Sequence, residues 1–301
     1  MLNKMKSTAI TLGLLLVANS SFAEYKVFGQ LDGKILVTAD SSVKIIGSDG
    51  KVYKNFDKMG HLHDVWKLDN GNILSAGKFV AETDPKTGKR VRTIGPKQEI
   101  EDILSCQRLE NGNTLVASNK DGKIYEITPD DKIAFEMLIP DKGNGHFVLR
   151  MVRKLDNGNY LVCQPCKKRV IEITPEAKIV WNVKVPSIAF SAVRLKNGNT
   201  LVGHVDAITE YNKTGEVVWE LTPSELAPVK IGKFTGINVL DNGNIVTGIY
   251  SLQKGKDGAA VVEVTRDKKV VWRLAILDGG PYAMMGCQKI SNKCKAYSNK
   301  R

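Results

Sequence analysis

The chain has 301 residues, a formal net charge of +12, 42% hydrophobic residues and 25% charged residues. This composition is ordinary for a soluble globular protein. Beyond the N-terminus no segment is long and apolar enough to cross a bilayer as a helix. No nucleic-acid motif accompanies the basic charge, which we interpret as a solvated surface, with attraction to anionic polymers as the alternative.

The first 23 residues have the pattern of a signal peptide. Lys4 and Lys6 precede a short apolar stretch, and Ser21-Phe22-Ala23 forms a small-x-small cleavage site. The pattern predicts cleavage before Glu24 and export to the periplasm or the medium. An uncleaved membrane anchor is the alternative, which the short apolar stretch disfavours.

A phrase of the form Leu-Asp-Asn-Gly-Asn-Ile-Leu returns along the rest of the chain. Its central glycines are residues 33, 71, 112, 158, 198 and 243, the first in a degenerate copy. Asn-Gly between apolar runs predicts a short hairpin, because both residues tolerate positive φ. A period of roughly 40–45 residues with strand patterning predicts the blades of a β-propeller.

Each repeat predicts four antiparallel strands, and residues 24–292 therefore form one all-β domain with six blades. The blades are expected at 26–57, 61–95, 101–138, 147–183, 189–222 and 233–275. Residues 285–290 resemble the first strand of the third blade. We therefore predict that this C-terminal strand pairs with the N-terminal strands and closes the ring, leaving no open sheet edge. Residues 293–301 are expected to be a basic, disordered tail.

Features that recur in every blade cannot define one site. We interpret the Asn-Gly-Asn turns as hairpins and Trp181, Trp219 and Trp272 as wedges between neighbouring sheets. A basic residue also precedes the Leu of most repeats, and it predicts ion pairing near the turn or a cationic ring at that end of the channel. These residues are Lys67, Arg108, Lys154, Arg194 and Lys289.

Function is expected on the opposite face, where the loops of the blades differ. That face should carry all four histidines of the chain. The candidate ligand-binding residues there are His61, Asp64, Asp102, Asn119, Gln164, His204, Asn238, Tyr250 and Tyr282.

Histidines and cysteines raise two further hypotheses. His61 and His63 are candidates for a divalent metal site, and the alternative is that they are solvated surface residues of the mouth. Cys163 and Cys166 form a Cys-x-x-Cys, which we interpret as a structural disulfide or free thiols rather than a redox pair. Cys106 and Cys287, at equivalent positions of two blades, are expected to be small buried residues.

Two stretches resemble known propellers. Residues 214–219 resemble a phrase of quinoprotein-type propellers, and residues 61–72 resemble the His-rich approach to the repeat of bacterial arylsulfotransferases. The second resemblance implies that His63 is a nucleophile and that His146, Arg150 and His204 hold the anion. No quinone-binding cage is encoded, and no cofactor is expected.

We therefore predict an exported, monomeric propeller that binds a small molecule or protein, anionic ones included, at a mouth lined by His, Arg and Asp. The alternative is a small transferase or hydrolase of sulfated or phosphorylated compounds, with His63, His146 and Arg150 as its catalytic residues. That alternative requires these three side chains to converge on one cavity.

Overall fold

A computed structural model describes residues 23–56, 60–145, 147–291 and 296–297. Within these residues the chain is all-β, with six antiparallel sheets arranged as the blades of a β-propeller. The predicted fold is confirmed. The proposed signal peptide lies outside the described residues, apart from Ala23. No helix in the described ranges is long and apolar enough to span a membrane.

The blades follow one another along the chain. The strands are β1 (Glu24–Gly29), β2 (Lys34–Ala39), β3 (Ser42–Gly47), β4 (Val52–Phe56), β5 (Asp64–Lys67), β6 (Ile73–Ala76), β7 (Val80–Thr83), β8 (Arg90–Ile94), β9 (Ile103–Arg108), β10 (Thr114–Ser118), β11 (Lys123–Ile127), β12 (Ile133–Leu138), β13 (Val152–Lys154), β14 (Tyr160–Gln164), β15 (Arg169–Ile173), β16 (Ile179–Lys184), β17 (Ala189–Arg194), β18 (Thr200–His204), β19 (Ile208–Tyr211), β20 (Val217–Leu221), β21 (Lys233–Leu240), β22 (Ile245–Tyr250), β23 (Val261–Val264), β24 (Val270–Asp278), β25 (Cys287–Ile290) and β26 (Ala296–Tyr297). Three 3₁₀ turns also occur, at Pro96–Gln98, Pro165–Lys167 and Pro223–Leu226.

The ring is closed at both ends of the chain. As predicted, the C-terminal strand β25 pairs with β2, from Lys34 opposite Ile290 to Val37 opposite Cys287. It supplies the innermost strand of the first blade, in the order β25-β2-β3-β4. The predicted range 26–57 for that blade is wrong at its start. Strand β1 instead pairs with β24 and extends the outer edge of the sixth sheet. Each terminal strand thus satisfies an edge that would otherwise be exposed.

The segment expected to be a tail contains one further strand. Ala296–Tyr297 (β26) pairs with the inner strand β21 beside Val239 and Leu240. Because these partners precede the Asn-Gly-Asn turn of the sixth blade, β26 lies at the turn end of the sheet. The expectation of disorder is therefore corrected for these two residues. Residues 292–295 and 298–301 lie outside the described part of the chain.

The Asn-Gly-Asn turns use the asparagine differently from the prediction. Gly71 has a φ of 87°, but Asn70 is not among the residues with positive φ. The turn closes through Gly71 N–H donating to Leu68 O, and Asn70 Oδ1 accepts from Asn72 N–H at 2.9 Å. The glycine therefore supplies the left-handed conformation, while the asparagine side chain caps the turn.

We call the end of the ring with these turns the lower face, and the opposite end the upper face. At the lower face a glutamate of the third strand binds the turn of its own blade and a cation of the next. Glu172 accepts hydrogen bonds from Asn157 and Asn159 and from Arg194 at 2.7 Å. The equivalent glutamates pair as Glu82–Arg108, Glu126–Lys154, Glu210–Arg266 and Glu263–Lys289. The hypothesis of ion pairing near the turns is confirmed for all of its basic residues except Lys67.

The tryptophans connect neighbouring blades in two ways. Trp181 and Trp219 stand on outer strands and donate to the carbonyls of Lys213 and Arg266 in the next blade. Both indoles also pack against the apolar core between their own blade and the next, so the predicted position between neighbouring sheets is confirmed. Trp272 alone of the three is fully buried, and its indole N–H donates to Glu263. Cys106 and Cys287 are buried as expected.

Candidate functional site

Two of the predicted residues meet at the upper face near the axis. Arg150 precedes β13 and His63 precedes β5, so both stand where the chain approaches an inner strand. Arg150 Nη2 lies 3.0 Å from His63 Nδ1. A guanidinium can only donate, so Nδ1 of His63 must accept, and the neutral ring then carries its proton on Nε2.

The Arg150 guanidinium is held in an apolar setting. The residue is 5% exposed, and its guanidinium carbon lies 4.9 Å from the ring centre of Phe147 and 4.4 Å from that of Phe190. Burial lowers the pKa of Arg150 to about 9, so the side chain remains charged at neutral pH. Among the described residues no carboxylate lies within salt-bridge distance of it. The charge of Asp102 favours the guanidinium only from beyond that distance. A buried charge without a directly paired counter-ion is costly, which makes Arg150 a candidate partner for an anionic ligand.

The His63 ring is neutral at the same pH. Burial, the charge of Arg150 and His61 together place its pKa well below the usual value. A neutral imidazole tolerates the adjacent guanidinium, whereas an imidazolium would be repelled by it. The pair therefore presents one positive charge at the top of the channel.

His63 also borders an open cleft. A cleft of about 930 Å³ lies on the upper face between the second and third blades. Its lining includes His61, His63, Lys78, Phe79, Asp102 and Lys120. A second, very small cavity touches both His63 and Arg150. The imidazole thus stands between the open cleft and the buried guanidinium.

Aromatic side chains form the rim on the other side of Arg150. Phe190 lies 6.4 Å from Tyr250 between ring centres, and Tyr250 meets Tyr282 edge to face at 5.0 Å. The Tyr282 hydroxyl lies 2.6 Å from Ser251 Oγ, and its backbone N–H donates to Asp40. Two predicted site residues, Tyr250 and Tyr282, are therefore part of one aromatic rim.

Asp64 belongs to a buried polar network in the channel wall, and its role in ligand binding stays a prediction. Its carboxylate accepts from Arg153 Nη1 at 2.8 Å and Nη2 at 3.0 Å, and from the Ser105 hydroxyl at 3.1 Å. Asp64 is 4% exposed and Arg153 is 3% exposed. With its oxygens occupied in this buried network, Asp64 joins the second, third and fourth blades.

Three predicted polar residues are also engaged in structural contacts. Asn119 donates to Asp102 at 2.7 Å and accepts from the Val148 N–H, which ties the third blade to the fourth. Gln164 binds the carbonyls of the preceding loop and accepts from Arg169. Asn238 donates to the Cys287 carbonyl of the closing strand. These contacts make Asn119, Gln164 and Asn238 parts of the scaffold.

Neither of the two other histidines is seen at the His63–Arg150 contact. His204 is buried at the end of β18, apart from the His63–Arg150 contact, between Ser187 and Thr209. His146 lies outside the described residues, so the required convergence can be examined only for His63 and Arg150, which do meet. No three His, Cys, Asp or Glu side chains of the described ranges lie close enough together to hold a metal ion.

The Cys163–Cys166 disulfide is not formed. Both thiols are free. Cys163 is fully buried in the apolar core between blades. Cys166 lies within the 3₁₀ turn that follows β14, and its thiol contacts the Lys142 carbonyl. The turn that starts at Pro165 separates the two thiols. Burial raises the pKa of Cys163 to about 12, which also removes it as a redox nucleophile.

Arg153 is not among the site residues predicted from the sequence, although the repeat contains a signal for it. Arg153 occupies the position two residues before the repeated Leu, where other blades have Trp66, Gln107 or Gln288. A charge at a channel-facing position of an inner strand predicts a buried partner. The identity of that partner, 89 residues away, required the fold.

Comparison with known proteins supports the fold and no more. No protein-family model and no curated protein matches the chain. Among solved structures, a Bacteroides caccae protein of unknown function has a TM-score of 0.70 at 21% identity, covering 85% of this chain and 98% of that one. A streptogramin B lyase has a TM-score of 0.59 at 14% identity, covering 87% of this chain and 85% of that one. A catalytically inactive virginiamycin B lyase from Staphylococcus aureus with quinupristin has a TM-score of 0.56 at 13% identity, covering 85% of this chain and 89% of that one.

Proposed function

We propose that the protein is a binding scaffold for a small organic anion at the upper end of its channel, with Arg150 as the charge partner. The observation that carries the proposal is the buried guanidinium of Arg150, which has no carboxylate partner among the described residues. An anionic ligand would supply the missing counter-charge, and charge-assisted hydrogen bonds to guanidinium are among the strongest in proteins.

The cleft beside His63 suits the remainder of such a ligand. Its volume of about 930 Å³ falls in the usual range for small-molecule sites. The side chain of Phe79 offers apolar surface there, and Lys78 and Lys120 add positive charge. The cleft would hold the organic body of such a ligand. Its anionic group would reach Arg150 past His63, which requires side chains to move because the cavity at Arg150 measures only about 10 Å³.

Binding of sulfate and of phenyl sulfate, measured by calorimetry, tests the proposal. Loss of the charged contact in Arg150→Met should weaken binding by about 10- to 100-fold, as expected for a hydrogen bond to a charged group. The matched control Arg92→Met removes an arginine that pairs with Asp131 near the lower face, and it should bind like the wild type. Equal affinities for wild type and Arg150→Met would refute Arg150 as the anchor.

An aryl-sulfate transferase or hydrolase is the second candidate. The neutral state of His63 favours it, because only a neutral imidazole is a nucleophile. The one lone pair of that ring, however, accepts from Arg150. Catalysis would require substrate to displace this contact. Release of phenol from phenyl sulfate by the wild type but not by His63→Ala would establish an enzymatic activity. Binding of phenyl sulfate without release of phenol would support the binding scaffold instead.

The cellular setting is a separate part of the proposal. We propose an exported monomer, supported by the basic, apolar and small-residue pattern of residues 1–23. N-terminal sequencing of the protein from its native host should begin at Glu24, and sedimentation should give a single-chain mass. A retained Met1 would contradict export by cleavage, and a concentration-independent dimer would contradict the monomer.

A further inference from the structure

A chain of four side chains lies at the upper face of the fifth blade. Ser187 Oγ is 3.0 Å from His204 Nδ1, and His204 Nε2 is 3.0 Å from Thr209 Oγ1. The Thr209 hydroxyl donates in turn to Glu220 Oε2 at 3.1 Å. His204 and Thr209 are each 1% exposed, whereas Ser187 is partly exposed and Glu220 is exposed. The chain therefore runs from one solvent-accessible end to the other through a buried imidazole.

The direction of every proton in this chain follows from Glu220. An ionised carboxylate only accepts, so the single hydroxyl proton of Thr209 is directed to it. Thr209 Oγ1 must then accept from His204 Nε2–H. A neutral His204 with its proton on Nε2 has its lone pair on Nδ1, which faces the Ser187 hydroxyl. Burial lowers the pKa of His204, which favours this neutral form.

This arrangement has the logic of a nucleophile, a base and a group that orients the base. The two ring nitrogens are exchanged relative to the usual serine hydrolase, but the chemistry depends only on which nitrogen has the lone pair. We propose that Ser187 is an activated nucleophile with His204 as its general base, and that this rim hydrolyses small carboxylic esters. Thr209 and Glu220 are positioning residues.

The surroundings of Ser187 permit an acyl intermediate. Ser187 lies in the short segment between β16 and β17, outside any sheet. Within the described ranges, the backbone N–H groups of Ser187 and Ile188 donate to no other backbone group. They remain available as donors to a developing oxyanion. The side chain of Ile188 is 38% exposed and offers apolar surface for an acyl or alkyl group.

The reaction is balanced by the ester and one water. Ser187 Oγ bonds to the carbonyl carbon while its proton passes to His204 Nδ1. The ester C–O bond then breaks, and the leaving alcohol takes that proton. A water attacks the acyl-serine, loses a proton to His204 and releases the carboxylic acid as the proton returns to Ser187 Oγ. No oxidant, metal or cofactor enters the sequence.

The inference is independent of the proposed anion site. Arg150 and His63 take no part in the relay, and their only link to it is that Phe190 follows Ser187 by three residues. Arg150→Met should therefore weaken anion binding without changing the reactivity of Ser187. Failure of one proposal leaves the other standing.

Reaction of the full chain with a fluorophosphonate, followed by peptide mass analysis, tests the proposal. We expect phosphonylation at Ser187 with loss of fluoride, and its absence in Ser187→Ala. Ser251→Ala is the matched control, because Ser251 is a partly exposed serine of the same face that contacts Tyr282 rather than a base. It should be labelled at the wild-type rate.

The role of the relay is tested by Thr209→Val and Thr209→Ser. Loss of the hydroxyl should slow labelling by at least about 10-fold, and serine should restore it; removal of the base in His204→Gln should slow it about 100-fold or more. Nitrogen NMR of the wild-type imidazole should place the proton on Nε2. An unlabelled Ser187 in the folded wild type, or equal labelling of Thr209→Val, would overturn the proposal.

Discussion

The two ends of the ring treat charge in opposite ways. At the lower face, buried glutamates of five blades each pair with a cation of the next blade, as Glu172 does with Arg194. Four of them, Glu82, Glu172, Glu210 and Glu263, also bind the turn of their own blade. At the upper face, Arg150 is equally buried but has no carboxylate partner in the part of the chain that the structure describes. At the lower end, buried charges are therefore paired, and the pairing recurs from blade to blade. At the upper end, Arg150 is a single buried charge that forms no salt bridge within those residues.

The difference separates stability from function. A paired buried charge holds blades in register, and the loss of one partner leaves the other uncompensated. An unpaired buried charge costs free energy of folding, and such strain in proteins concentrates at sites of function. Substitutions at the two ends should therefore change stability with different magnitudes and signs.

The largest loss is expected at the lower end, from Glu263→Gln. Glu263 is 1% exposed and binds Asn244, Trp272 and the closing-strand residue Lys289. Loss of its charge should lower the free energy of unfolding by about 3–5 kcal/mol, measured by denaturant titration. Glu216→Gln, in an exposed turn, should change it by less than about 0.5 kcal/mol. Equal effects would mean that the lower-face pairs contribute no stability.

Two arginines three residues apart should respond with opposite signs. Arg153→Met leaves Asp64 buried and unpaired, and should cost about 3–5 kcal/mol. Arg150→Met removes a charge that forms no salt bridge within the described ranges, and should raise the free energy of unfolding by about 1–2 kcal/mol while weakening anion binding. Denaturant titrations of both variants without ligand measure this. A large loss in Arg150→Met would indicate an undetected counter-ion and sink the contrast.

Repeated features of the fold were predictable from the sequence, whereas most contacts at the upper face were not. The number of blades was predictable because the turn phrase occurs six times. Closure by β25 was predictable because residues 285–290 repeat the pattern of a first strand. The contact between His63 and Arg150 was required by one hypothesis and is present, since both residues occupy equivalent positions before inner strands. The structural use of Asp64 and Asn119 was not predictable, because their partners come from other blades. The cleft beside His63 depends on loop conformations that no local pattern encodes.

Closure of the ring can be tested with two glycines at equivalent positions in the turns of the first and second blades. Gly33 and Gly71 both have φ near 90°, so alanine should cost about 1–2 kcal/mol at either from backbone strain. At Gly71 a Cβ would meet nothing within 4 Å, whereas at Gly33 it would lie 2.1 Å from the Ile290 carbonyl of β25. Gly33→Ala should therefore cost about 1–3 kcal/mol more than Gly71→Ala. Equal thermal stabilities of the two variants would contradict the pairing of β25 with β2.

The smallest effect concerns pH and the upper face. The pKa of His63 is lowered in the folded protein, so the unfolded chain binds the proton more readily. Its contribution to stability is complete above the unfolded value of about 6.5 and is lost as the pH falls below it. The free energy of unfolding should therefore decrease by up to about 1.4 kcal/mol per pH unit between pH 6.5 and 5 from this residue.

Comparison of the wild type with His63→Gln isolates that contribution. The variant should lose stability less steeply over this interval, because glutamine does not titrate. His204 has its pKa lowered as well and remains in both proteins, so its effect cancels in the difference. His61→Gln removes an exposed histidine of the same loop that lacks the Arg150 contact, and should change the slope less. Identical slopes for wild type and His63→Gln would mean that His63 accepts a proton in the folded state as readily as in the unfolded chain. Arg150 could not then be buried beside it as a permanent charge.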